Sequence, residues 1–178
     1  MKQVGQLLRE IIPVIVGILA ALVINNWNED RKDKKYLDQI YASIEEELKA
    51  SNEDIETNIP RQQKLIDSLD AYLEDETVSI FDIIVKVGGI GVPTIKNNSW
   101  RAIANSKIQL IEFEKLSLLS DIDDFREGLE FKQEKILDLV YANLKRTNQE
   151  QKEVLKILIA DMIYTERELQ QRIEELVE

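Results

Sequence analysis

The first apolar segment of the chain has no polar face. Residues 11 to 24 read Ile-Ile-Pro-Val-Ile-Val-Gly-Ile-Leu-Ala-Ala-Leu-Val-Ile, without a charged or strongly polar side chain. At about 1.5 Å per residue, this run covers roughly 21 Å of a hydrocarbon core that is about 30 Å thick. A helix over residues 7 to 27 reaches about 31 Å, which is enough to span. The pattern therefore predicts a single transmembrane helix in an N-terminal membrane anchor at residues 1 to 28.

The residues after this segment are typical of a membrane interface. Trp27 lies between asparagines, and Arg31 and Lys32 begin a basic cluster. Aromatic and basic side chains are enriched at the level of the lipid headgroups, so we assign Trp27, Arg31 and Lys32 to that level. Two alternatives remain open. A cleaved signal peptide would need small residues at a cleavage site, and a run this short also suits the buried core helix of a soluble protein.

Gly17 and Ala21 are four residues apart and therefore share one face of the predicted helix. Small residues at this spacing let a second membrane helix approach closely, so the pair is a candidate helix-pairing face. Lys and Arg counts near the two ends nominally favour a cytoplasmic domain. A short N-terminal tail with a basic residue is, however, also typical of an uncleaved signal anchor, which exports the domain behind it. We favour a single-pass protein of the cell membrane with its domain on the exported, periplasmic side.

Beyond the anchor, apolar residues recur at alternating steps of three and four, as in a helix with coiled-coil character. The first such stripe consists of Leu37, Tyr41, Ile44, Leu48, Ile55, Ile59, Ile66, Leu69 and Leu73. Pro60 predicts a kink or a restart within it. A second stripe runs from Leu116 to Leu176, as one very long helix or as two with a weak point near residues 147 to 151. Its antiparallel return predicts an all-α, elongated helical bundle over residues 29 to 178.

Residues 76 to 96 interrupt these stripes. They are rich in β-branched residues and contain Gly88, Gly89 and Gly91, which predicts an irregular loop with at most a short strand or one helical turn. The glycines match neither phosphate-binding fingerprint, so a flexible connection is the better interpretation. A short helix should start at Asn98 or Ser99. It carries Trp100 on an apolar face, where we expect this residue to be a packing anchor.

Composition limits the chemistry that this chain can perform. Its 178 residues carry a net charge of −11 and include neither cysteine nor histidine. Negative charge repels nucleic acid, and the usual nucleophiles, bases and soft metal ligands are missing, so we predict no enzyme, no catalytic residues and no cofactor. Glu45, Glu46 and Glu47 should fan around a helix into solvent. Asp121, Asp123 and Asp124 lack the remaining ligands of a calcium loop, so no metal site is predicted.

Two blocks of sequence resemble the signatures of a bacterial family of uncharacterised membrane-anchored proteins with a domain of unknown function. The first is Gly-Ile-Leu-Ala-Ala-Leu-Val-Ile-Asn-Asn-Trp-Asn-Glu at residues 17 to 29. The second is Asn-Ser-Trp-Arg-Ala-Ile-Ala-Asn-Ser-Lys-Ile-Gln-Leu-Ile at residues 98 to 111, where residues 105 to 107 replace the family's usual glycine turn. The resemblance implies a membrane helix and a helical domain outside the membrane, and it implies no activity.

These observations together favour a non-enzymatic, membrane-anchored interaction or sensor-like module. Its expected partners are membrane lipid and either another protein or a second copy of itself, but not nucleic acid. The alternative is a structural role, as a self-associating coiled-coil spacer or an accessory subunit of a membrane complex. Absent catalytic chemistry does not distinguish these two classes, because both need only apolar and charged surfaces.

Overall fold

The chain is all-α, as predicted, in the part that the structure describes. This computed structural model describes the backbone of residues 2 to 177 and the side chains of residues 11 to 177. Within that range there are five α-helices, one 3₁₀ turn and no strand. The elements are α1 (Lys2–Ala71), α2 (Ile80–Val87), α3 (Asn98–Ala104), the 3₁₀ turn (Ile108–Leu110), α4 (Phe113–Asn143) and α5 (Gln149–Val177).

The chain divides into two compact units between Ala42 and Ser43, both of which lie within α1. In the first unit, every side chain of residues 11 to 30 is exposed. The side chains of residues 7 to 10, at the start of the predicted span, lie outside the described part. Residues 11 to 30 are thus a stretch of helix whose apolar side chains have no protein around them.

The core of the second unit consists of side chains repeating in heptads. On α1 the buried positions are Ile44, Leu48, Ser51, Ile55, Asn58, Gln62, Leu65 and Leu69. On α5 they include Lys152, Leu155, Ile159, Met162, Glu166, Leu169 and Ile173, and on α4 they are Leu119, Ile122, Arg126, Leu129, Ile136 and Val140. The steps are three and four on α1 and α5, and α4 has the same steps apart from one full heptad between Leu129 and Ile136. This is the spacing of coiled-coil packing, in which side chains of one helix fill spaces between those of its neighbours.

Hydrogen bonds between side chains of α1 and α5 set their direction and register. Lys156 Nζ lies 2.6 Å from Asp70 Oδ1, and Gln170 donates to Asn52 at 3.0 Å. Residue numbers therefore rise along α5 as they fall along α1, so the two helices are antiparallel. The stripe after Leu116 forms two helices, with a break at residues 144 to 148, close to the predicted weak point.

Two expectations about helix interruptions need correction. The segment predicted as a loop at residues 76 to 96 contains the two-turn helix α2. Ser79 and Asp82 form reciprocal capping hydrogen bonds at its start, and the helix buries a face containing Ile80 and Ile83, which outweighs the low helix propensity of β-branched residues. Of the two outcomes predicted at Pro60, the restart does not occur, because α1 continues to Ala71, and the kink stays a prediction. Pro60 is exposed, so water can satisfy the carbonyl that loses its donor.

The C-terminal end of α1 is closed by a buried lysine. Lys152 is fully buried, and its ammonium group donates to the backbone carbonyls of Tyr72 and Asp75, each at 2.7 Å. Tyr72 and Asp75 lie in the turn that follows the last residue of α1, Ala71, and a cation at the C-terminal end of a helix interacts favourably with the helix dipole. Lys152 thus joins the start of α5 to the end of α1.

Replacing Lys152 with Met keeps the apolar stem and removes both hydrogen bonds. We expect a loss of about 2 to 3 kcal/mol in the free energy of unfolding, since hydrogen bonds from charged donors are worth about 1.5 to 3 kcal/mol. Lys156→Met is the matched control, because it breaks only a partly exposed ion pair with Asp70 and should cost less than about 1 kcal/mol. Equal losses for the two variants in urea denaturation would contradict the capping role.

Candidate functional site

The apolar part of α1 is the first candidate for a functional surface. Within the described residues, one helix is long and apolar enough to cross a membrane, with a mean hydropathy of 1.8 over 18 residues, none of them buried. Keeping a large apolar side chain in water costs about 1.5 to 3 kcal/mol relative to burying it. Since residues 11 to 24 are apolar on every face, an apolar surrounding is needed on every face. The alternative of a buried core helix has no support in this arrangement.

The residues assigned to the membrane interface lie directly after the apolar segment and are exposed. Trp27 is 63% exposed, and the Arg31 guanidinium carbon lies 6.0 Å from the centre of its ring, within range of a cation–π contact. Asn25 donates to Glu29 at 3.1 Å, and Lys32 is exposed. Exposed aromatic and basic side chains on adjacent turns are suited to contacts with headgroups.

The candidate pairing face is open. A Cβ atom at Gly17 would have no neighbour within 4 Å beyond the adjacent backbone of its own helix. Ala21 is exposed. The described residues place nothing against this face, so its role in helix pairing stays a prediction.

Trp100 lies in the bundle, where α3 packs against α1 and α4. It is 7% exposed, and the small space beside it is lined by Ile44 and Leu48 of α1 and by Leu119 and Ile122 of α4. This cavity has a volume of about 10 Å³, about the room for a single water molecule. The indole ring therefore fills the junction of three helices and leaves no room there for a substrate.

A carboxylate of α1 holds the start of α3 in place. Glu47 accepts a hydrogen bond from the Ser99 backbone N–H and another from the Ser99 hydroxyl, each at 3.1 Å, and the hydroxyls of Ser43 and Ser99 are 2.7 Å apart. The first N–H groups of a helix lack partners, and a negative charge there is favourable. The expectation that Glu47 is a solvated surface residue was wrong, because it caps α3 from a neighbouring helix.

A second polar cluster lies beside Trp100 and lines the same small cavity as Glu47. Asp123 accepts hydrogen bonds from Asn97 and from Arg126 Nε, both at 2.8 Å, and Arg126 also donates to Glu130 at 2.6 Å. Partial burial acts to raise the pKa of Asp123, but hydrogen bonds from Arg126, Asn97 and the Trp100 side chain outweigh it and lower the pKa below its ordinary value. Arg126 occupies a core position of α4 that apolar periodicity alone could not identify.

Of the three aspartates that superficially resemble a calcium loop, only Asp123 takes part in this cluster. Asp121 is half-buried and Asp124 is exposed. Across the described residues, no group of three or more acidic side chains is placed to hold a metal ion. The cluster orders helices around Trp100, and it presents no open carboxylate pair for acid–base chemistry.

Comparisons with known proteins found no matching family model, no matching curated protein and no matching solved structure.

Replacing Trp100 with Ala should lower the free energy of unfolding by about 3 to 5 kcal/mol, because a large side chain at a three-helix junction leaves a cavity when it is removed. Trp100→Phe retains most of the ring and should cost clearly less. Thermal or chemical denaturation followed by circular dichroism measures both. An unchanged stability of the Ala variant would contradict a packing role and would make Trp100 a candidate contact for a partner.

Proposed function

We propose that this chain is a non-enzymatic, single-pass membrane protein of the bacterial envelope that serves as an interaction or sensor-like module. The observation that carries the proposal is the exposed, wholly apolar surface of residues 11 to 24, followed by the pairing of Trp27 with Arg31. Membrane lipid is the surrounding that satisfies such a surface, since it is apolar on every side of the helix. The helical bundle then stands outside the membrane, and we favour the periplasmic side.

The polar groups of the bundle support a binding role better than a catalytic one. Glu47 accepts hydrogen bonds from Ser99 of α3. Asp123 accepts them from Asn97 at the start of α3 and from Arg126 of its own helix. Histidine and cysteine are absent from the sequence. General acid–base or nucleophilic catalysis needs a reactive group within reach of a substrate, whereas these groups are occupied in holding helices together.

The net charge of the chain indicates which partners fit its surface. An acidic bundle is repelled by anionic lipid and by nucleic acid, whereas the basic cluster beginning at Arg31 is attracted to anionic headgroups. We therefore propose a protein partner with a basic surface.

A structural role is the second candidate, and the outer face of α5 favours it. Ile157 and Tyr164 are seven residues apart and each is 63% exposed, so they lie on one solvent-facing stripe. This stripe, or the face with Gly17 and Ala21, would be the seam of a self-associating spacer or accessory subunit.

The mass of the full-length protein in detergent separates these two roles. An interaction module of the proposed kind should remain a single chain over at least a tenfold range of concentration, as measured by light scattering with the detergent mass subtracted. A stoichiometric oligomer would contradict this proposal and support the spacer. In that case two substitutions would show which surface forms the seam. Gly17→Ile adds bulk to the face with Gly17 and Ala21, and Ile157→Glu adds a charge to the stripe with Ile157 and Tyr164.

A further inference from the structure

Glu166 is a carboxylic acid in the middle of the bundle core. It is 0% exposed and occupies a heptad position of α5, between the buried Met162 and Leu169. Gln62 of α1 is also 0% exposed, and its amide nitrogen donates both to Glu166 Oε1 at 2.7 Å and to the Gly91 carbonyl at 2.8 Å. One amide group thus connects α1, α5 and the segment between α2 and α3.

The approach of Gly91 to α1 depends on its being glycine. Its φ angle is +75°, and a Cβ atom there would lie 3.3 Å from both Arg61 Cβ and Asn58 Oδ1. Residues with a side chain rarely adopt this backbone conformation. The chain is thereby able to place the Gly91 carbonyl against Gln62.

Glu166, Gln62 and the Gly91 carbonyl form a polar layer in the core. Two oxygen atoms of this layer, Gln62 Oε1 and Glu166 Oε2, have no hydrogen-bond partner. An ionised carboxylate would leave an unpaired charge in the core, which is strongly unfavourable. A proton on Glu166 removes the charge and turns Oε2 into a donor within a layer that contains an unpaired acceptor. The geometry of the layer therefore suits the neutral acid.

The charged groups on the surrounding elements are engaged elsewhere. Lys132 of α4 pairs with Asp161 at 2.7 Å and donates to the Thr165 hydroxyl at 2.7 Å. Arg61 of α1 is exposed and donates to the Gly88 carbonyl, and Asp54 accepts from the Thr94 N–H. Burial raises the pKa of Glu166 to about 7, and only the hydrogen bond from Gln62 opposes it.

We propose that Glu166, Gln62 and the Gly91 carbonyl form a proton-operated latch. When Glu166 is neutral, the latch holds α1, α5 and residues 88 to 97 together. When Glu166 loses its proton, the layer is destabilised and this segment is released. The latch would give the proposed sensor role a signal, and its biological meaning rests on that proposed function. Its test is separate, because it measures the stability of the chain and not its mass or partners.

The direction of the pH dependence follows from the raised pKa. An acid whose folded-state pKa of about 7 exceeds its ordinary value of 4.5 stabilises the fold at low pH. This stabilisation is complete below about pH 4.5 and is lost as the pH rises through about 7. Linkage gives a rise on the order of 70-fold in the unfolding equilibrium constant between about pH 5 and pH 8. Histidine, which would otherwise titrate in this range, is absent.

The test uses full-length protein in detergent micelles, unfolded by denaturant at several values between about pH 5 and pH 8. Wild type should lose stability across this range, and amide hydrogen exchange of residues 88 to 97, corrected for its intrinsic pH dependence, should become at least about tenfold faster. Glu166→Gln should abolish the pH dependence, because glutamine keeps the shape and cannot ionise. Glu174→Gln changes an exposed glutamate of the same helix and should behave as wild type.

Wild-type stability that does not vary with pH, or a dependence that survives in Glu166→Gln, would overturn the latch. If Glu166→Gln fails to fold, the wild-type protein still decides the matter by carbon-13 NMR of its glutamate carboxyl groups. One glutamate titrating near pH 7 supports the latch, and titration of all glutamates below about pH 5 contradicts it.

Discussion

Helix α1 must remove its apolar side chains from water in two different ways, and the rest of the structure depends on this constraint. Over residues 11 to 24 it is apolar on every face, and no protein covers it in the described part of the chain. From Ile44 to Leu69 only one face is buried, at steps of three and four. An all-round apolar helix is suited to lipid, whereas a single seam is suited to neighbouring helices. The change in pattern separates the segment that we propose as a membrane anchor from the segment that packs in the bundle.

Polar residues within the seams specify how the bundle is assembled. Apolar heptads alone tolerate slippage, whereas a buried polar group is satisfied in one register only. Lys152 reaches the end of α1, Gln62 meets Glu166, and Asn97 at the start of α3 donates to Asp123 of α4. Two of these contacts fix α5 against α1, and the third orders α4 around α3. The same groups that specify the register also place one ionisable acid, Glu166, where its protonation affects the stability of the fold.

The all-α class, the long apolar helix and the return of the later stripe could be predicted from the sequence, because periodicity records which side chains avoid water. The buried positions of α1 were harder to predict from the sequence. They include Ser51, Asn58 and Gln62, whereas the apolar stripe includes Ile59 and Ile66, which are only half-buried beside them. Glu47, Arg126 and Glu166 were missed as ordered groups for the same reason. The partners of Glu47 and Glu166 are distant in sequence, so the local pattern contains no sign of them. Arg126 pairs with acids three and four residues away on its own helix, and it is the burial of this charged side chain that apolar periodicity does not indicate.

Cysteine scanning along α1 tests the change in pattern most directly, since the chain contains no cysteine of its own. Single cysteines at residues 11 to 24 and 44 to 69 of the full-length protein in liposomes would be exposed to a water-soluble maleimide. Residues 11 to 24 should be protected on every face. Residues 44 to 69 should be protected only at the buried heptad positions and should react between them. Labelling of residues 11 to 24 on one face only, or at every position, would contradict the membrane anchor on which the account depends.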